Sequence, residues 1–232
     1  MDPSHSQHQF RILCFGDSNT WGLDPVTRDR FCPEVRWPGV MANLLGTSVT
    51  VIEEGLRGRT TVIEDPLVAG RRGLDAIGAC VVSHQPLDLL MIMLGTNDAK
   101  CRFNRSAFEI AEGLSELVTR VRMLPATSPA DREFPIMLVA PARAGVLAPR
   151  FAEEFEGADE KLTKLARLVP FIAARHACLF FDGSAVIDMN GSDGIHFAAG
   201  AHRLLGDHLA NAVRQLDLTK PSEIWRNDVT DA

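Results

Sequence analysis

Residues 10–22 read Phe10-Arg11-Ile12-Leu13-Cys14-Phe15-Gly16-Asp17-Ser18-Asn19-Thr20-Trp21-Gly22. The first six are almost continuously apolar, and they stop abruptly at a glycine, an acid and a hydroxyl. An apolar run without polar alternation suits a strand covered on both faces, as in a parallel sheet. Four later runs have the same character: Val49–Glu53, Leu87–Leu94, Ile136–Ala140 and Cys178–Asp182. Segments with helical spacing separate them: Trp37–Leu45, Gly73–Ser83, Arg105–Leu124 and Phe151–Arg175. A last one, Ala199–Leu216, follows the fifth run. Within Arg105–Leu124, residues Phe108, Ala111, Leu114, Leu117, Val118 and Val121 recur at three and four, which predicts one apolar stripe. Alternating strands and helices predict an α/β fold with a five-stranded parallel sheet and helices on both faces.

The chain has 232 residues and a net charge of −6. The negative balance argues against nucleic acid as a partner, because phosphate binding needs clustered Lys and Arg. No apolar run approaches the roughly 18 residues that span a bilayer. The polar start, Met1 to Gln9, lacks the apolar core of a signal peptide, so a cytoplasmic protein is expected. One domain is expected over residues 1–232, with 1–9 as a flexible tail and 218–232 as a C-terminal extension. The loops are placed at Leu124–Pro135 and Pro141–Pro149. The five cysteines are odd in number and form no Cys-x-x-Cys pair, so neither a disulfide frame nor a zinc site is signalled. Cys14 and Cys178 lie in apolar runs and are expected to be buried. His84, His176, His202 and His208 have no partner pattern and are expected on the surface or satisfied within helices. The chain lacks a Gly-x-Ser-x-Gly elbow, a Gly-x-Gly-x-x-Gly fingerprint, a P-loop and a His-Glu-x-x-His motif.

In open parallel sheets, ligands bind beyond the carboxyl ends of the strands. Gly16-Asp17-Ser18 follows the first run and Glu54–Thr61 the second. Gly95-Thr96-Asn97-Asp98 follows the third, and Asp193-Gly194-Ile195-His196 precedes the last helix. Four polar, glycine-rich segments thus converge on one rim. Acyl transfer needs a nucleophile, a base, a group that orients the base, and donors for the developing oxyanion. Ser18 can supply the hydroxyl, His196 the base and Asp193 the orienting carboxylate. Asn97 and the backbone N–H groups of Gly58 and Ser18 can supply the donors. Taken singly, Ser18 and Asp193 could also be helix caps and Asn97 a turn residue. Asp17 and Asp98 are expected to hold loops by accepting backbone N–H bonds. Trp21 is read either as core or as a substrate-binding wall of the acyl pocket.

Gly-Asp-Ser near the start, Gly-x-Asn-Asp after the third strand and Asp-x-x-His near the end resemble the blocks of the SGNH (GDSL-type) hydrolases, in the family's order. The likeness is greater to a bacterial arylesterase and acyltransferase branch, whose first block, Gly-Asp-Ser-x-Thr-Trp-Gly, is matched by Gly16 to Gly22. Its second block resembles Glu53 to Thr61. The resemblance implies Ser18 as nucleophile, Asp193 and His196 as its triad partners, and Gly58 and Asn97 as oxyanion donors. It also implies a flavodoxin-like three-layer αβα sandwich, no metal or other cofactor, and association into a homo-oligomer. Asn19 departs from the pattern, since many members carry Leu there, and points to an altered pocket wall. The expected function is a serine esterase acting on small short-chain acyl or aryl esters. Within that chemistry the alternatives are an acyltransferase or perhydrolase, with Trp21 and Val146-Leu147 keeping the acceptor site dry, and a carbohydrate O-deacetylase. A non-catalytic flavodoxin-like binding module is the alternative of another class.

Overall fold

Strand β1 (Phe10–Gly16) lies inside the sheet, between β2 (Val49–Gly55) and β3 (Leu89–Met93), and both pairings are parallel. That position explains its unbroken apolar character, because Ile12, Leu13 and Cys14 are wholly buried. With β4 (Ile136–Ala140) and β5 (Leu179–Asp182) the sheet has the order β2-β1-β3-β4-β5 and is parallel throughout. This computed structural model describes residues 9–125 and 133–216. The proposed tail (apart from Gln9), the extension at 218–232 and most of the loop from Leu124 to Pro135 lie outside the described residues.

The helices are α1 (Ser18–Trp21), α2 (Trp37–Leu45), α3 (Gly73–His84), α4 (Ala107–Arg122), α5 (Pro149–Ala152), α6 (Ala158–Arg175) and α7 (Ala199–Gln215). Helix α2 packs against α7, and α4 packs against α3 and α6. The crossover from β1 to β2 runs opposite to those from β2 to β3 and onward. A right-handed sense for each therefore puts the two helix groups on opposite faces of the sheet. The result is the three-layer αβα architecture. The strand order reverses at β1 and β3, which opens a crevice at their carboxyl ends.

Three local expectations change. Phe108 stands off the buried stripe of α4 and is 60% exposed; Ile110 takes the place in the core with Leu114, Leu117, Val118 and Val121. Burial of each such large side chain stabilises the fold by about 1.5–3 kcal/mol. The segment Phe151–Arg175 is not one helix. The first helix ends at Ala152, a turn follows, and α6 restarts after Gly157, whose φ of +73° is left-handed. His202 on α7 is a core residue. Its Nδ1 accepts the N–H of Trp37 at 3.3 Å, the rings of Phe31 and Phe197 flank it edge-on, and its Nε2 has no hydrogen-bond partner among the described residues. Cys14 and Cys178 are buried as expected, His84 meets Glu54 at 2.9 Å, and His176 meets Ser115 at 2.6 Å.

The ends of β1 and β2 carry paired glycines, Gly16 opposite Gly55. A Cβ on Gly55 would lie 2.2 Å from the Trp21 nitrogen, and one on Gly16 would lie 2.0 Å from Thr20 Oγ1. The absence of two methyl groups is what lets α1 lie directly over the strand tips.

Candidate active site

Helix α1 begins at Ser18. Its cap is Asp17, whose Oδ1 accepts the Asn19 N–H at 2.9 Å. Ser18 therefore does not serve as the cap. Its Oγ lies 2.9 Å from His196 Nε2, and His196 Nδ1 lies 2.8 Å from Asp193 Oδ2. The other oxygen, Oδ1, accepts the backbone N–H groups of Ile195 (3.1 Å) and His196 (2.9 Å). Asp193 thus folds its own loop and does not cap α7, which starts after Ala198 without a side-chain cap. Ser18, His196 and Asp193 are 5%, 6% and 1% exposed. With Nδ1–H donated to the carboxylate, Nε2 is left as an acceptor for the Ser18 hydroxyl.

Burial alone would raise the Asp193 carboxyl. Hydrogen bonds from the His196 ring and backbone and from the Ile195 N–H outweigh it and hold the group well below the usual carboxylate range. Burial lowers the His196 imidazole from its ordinary value. Asp193 opposes that effect, while Arg28 and Arg150 add to it. Both arginines reach Asp193 Oδ2 at 3.2 Å.

Asn97 and Gly58 line the same cavity as Ser18 and His196, a space of about 340 Å³. Asn97 Nδ2 donates to the carbonyl of Arg59 at 3.0 Å. It also donates, at the limit of a hydrogen bond, to Asp17 Oδ2 at 3.5 Å, so its second hydrogen is only weakly held. Gly58 has φ +79°, a left-handed conformation that favours glycine. Asp98 ties the two segments together by accepting the Thr61 N–H at 3.0 Å and the Thr61 hydroxyl at 2.5 Å. Asp17 and Asp98 thus hold loops, and burial raises both, Asp17 to about 6. Among the described residues no group of three His, Cys, Asp or Glu side chains comes together to hold a metal ion.

Three side chains stand elsewhere than the sequence suggested. Asn19 is buried and does not line the cavity: its Nδ2 donates to the Ile195 carbonyl at 3.1 Å, and its Oδ1 accepts the Phe197 N–H at 3.0 Å. Trp21 does not line the cavity; the guanidinium carbons of Arg30 and Arg57 lie 5.3 and 5.5 Å from its ring centroid. Val146 is 94% exposed and also lies outside the cavity lining. Sequence reasoning missed Arg28 and Arg150, which stand 165 and 43 positions from the carboxylate they meet, and no local pattern marks them.

The GDSL-like lipase/acylhydrolase family model matches residues 14–204. A search of curated proteins finds no match. Among solved structures, the native aryl esterase of M. smegmatis is 44% identical, with 89% of this chain and 99% of that one covered and a TM-score of 0.86. Its inhibitor-bound form, also 44% identical over the same shares, superposes with a TM-score of 0.84. Est24, a carbohydrate acetylesterase from Sinorhizobium meliloti, is 38% identical, with 88% and 98% covered and a TM-score of 0.86. A match over most of its length and identities at this level place the chain in the GDSL-like lipase/acylhydrolase family, as a carboxylic ester hydrolase.

Proposed function

We propose that the protein hydrolyses small esters through an acyl-enzyme on Ser18. The observation that carries this reading is the hydrogen-bonded line from Ser18 Oγ through His196 to Asp193, which meets Asn97 and Gly58 in one cavity. Ser18 Oγ attacks the ester carbonyl while His196 Nε2 takes its proton, and Asp193 stabilises the imidazolium that forms. Asn97 Nδ2, turning its weakly held hydrogen from Asp17 to the substrate, and the N–H groups of Gly58 and Ser18 bind the oxyanion. His196 returns the proton to the departing alcohol. Water, deprotonated by His196, then releases the acid from Ser18.

A cavity of about 340 Å³ lies at the small end of ligand sites and supports a short acyl group. The solved relatives described as an aryl esterase and a carbohydrate acetylesterase support the same range. Transfer to an alcohol or peroxide has less support, because neither Trp21 nor Val146 lines the cavity to keep an acceptor site dry.

The test is turnover of p-nitrophenyl acetate. Ser18→Ala is expected to lower kcat by about 10⁴-fold or more, on the scale of a lost nucleophile. An organophosphate should leave one adduct, on Ser18. Protonated His196 cannot act as the base, so kcat/KM falls as pH drops through its pKa. With the imidazole lowered, that limb should lie below pH 6.5. Unchanged turnover in the variant, with no adduct on the parent, rejects the reading.

A further inference from the structure

The cavity carries more positive charge than the chain's net charge of −6 would suggest. Part of its charge is internally matched. Lys100 lies 3.3 Å from Glu154, and Arg102 lies 2.7 Å from both Glu154 and Asp65. Lys100, Asp65 and Glu154 line the cavity and Arg102 backs them from outside the lining, so these two cations and two carboxylates cancel. Arg28, which lines the cavity, and Arg150, which does not, share the one carboxylate of Asp193. Arg57 and Arg71 also line the cavity, and among the described residues neither has a carboxylate within 4.0 Å. They flank Gly58: Arg57 precedes it in sequence, and Arg71 Cδ lies 3.4 Å from where a Cβ on Gly58 would stand.

Two features show that the cations are placed rather than merely present. Arg57 makes a cation–π contact with Trp21, its Cζ 5.5 Å from the ring centroid, which favours its guanidinium at the cavity mouth. Arg28 is held in a left-handed backbone conformation, φ 70°, that costs a non-glycine residue. The turn that holds it is bonded throughout: Asp24 accepts from the Val26 N–H at 2.8 Å and the Thr27 hydroxyl at 2.9 Å, and the Asp24 carbonyl accepts the Arg28 N–H at 3.0 Å.

We propose that the preferred ester carries a carboxylate on its alcohol portion, bound at the mouth by Arg57 and Arg71. A guanidinium presents a planar fork that matches a carboxylate, and these two are not already engaged by one. The acyl group stays on the buried Ser18, whereas the alcohol leaves past the exposed Arg57, so the charge belongs on the alcohol. An excess of positive charge at the mouth of an otherwise negative molecule also draws anions to the site. The inference rests on the esterase reading above.

The test compares 3-acetoxybenzoate with 3-acetoxybenzamide, which share shape and acyl group and differ in charge. Each rate is normalised to that with hydroxide. For the parent chain, kcat/KM should favour the charged ester about tenfold at low ionic strength, mainly through KM, and the two should approach parity at about 0.5 M salt. Replacing Arg57→Gln and Arg71→Gln together should bring the ratio to near one. Equal rates for the two esters in the parent, or a preference indifferent to both salt and the substitutions, overturn the proposal. The salt series uses the parent chain alone, so it does not depend on the variant folding. Failure to cleave either ester would instead reject the esterase reading, and the charge preference with it.

Discussion

Asn19 bonds to the backbone on both sides of His196, holding the base in register with the helix that carries Ser18. Its amide is suited to this because it donates and accepts at once; Leu, with the same reach, can do neither. Asn19→Leu would leave the Ile195 carbonyl and the Phe197 N–H buried without partners, each at a cost of about 1–3 kcal/mol. The expected outcome is a lower melting temperature and a kcat reduced about tenfold, with KM little changed, because the base loses alignment while the cavity lining keeps its residues. A steady-state comparison of the two parameters checks it, and a change confined to KM would contradict the positioning role. Ser18, Asn97, Asp193 and His196 were legible as residue types in a recognisable order. Asn19 was visible only as a departure, and its task was not, because the groups it bonds are backbone atoms 176 and 178 positions away.

The tips of β1 and β2 set the height of α1 above the sheet. Gly55→Ala would place a methyl group 2.2 Å from the backbone nitrogen of Trp21, and a backbone atom cannot swing aside as a flexible side chain can. The substitution should destabilise the fold by about 1–3 kcal/mol, as overpacking does. It should also lower kcat/KM by about 10²-fold, the scale of an ångström's misplacement of a reacting group. Unfolding in denaturant and turnover of a small ester check the two parts separately. Among the elements, β1, β3 and β4 were readable because strands in the middle of a parallel sheet are apolar on both faces, and the edge strands β2 and β5 keep enough apolar residues to be read with them. Helix limits were less so. The break before α6 depends on Gly157 taking a left-handed conformation, which a sequence permits without requiring. Phe108 fits the three-and-four spacing, yet it falls on the side of α4 that no neighbouring layer covers.

For the molecule as a whole, His202 links packing to acid sensitivity. Burial lowers its imidazole to about 3 in the fold, with the charges of His196 and Arg36 adding to the effect, against 6.5 ordinarily. The unfolded chain therefore takes up this proton first, and stability falls as pH drops from 6.5 towards 3, by about 1.4 kcal/mol per pH unit. Asp17, raised to about 6 by burial, has the opposite sign, because protonation below pH 6 favours the fold. The contrast with a His202→Asn variant isolates the imidazole: its melting temperature should gain on the parent's steadily as pH falls below 6.5, and parallel curves would contradict the assignment. The sequence by itself determined the alternation of strands and helices, the burial of β1 and the residue types gathered at the rim. Periodicity and strand-end motifs are local properties, set by which side chains neighbour one another along the chain. Only the tertiary structure decided that Asn19 grips the loop of His196, that Arg28 and Arg150 share Asp193, and that Trp21 supports an arginine rather than walling the cavity. Each of those is a meeting of groups distant in sequence, governed by how the layers close, and no local spacing encodes it.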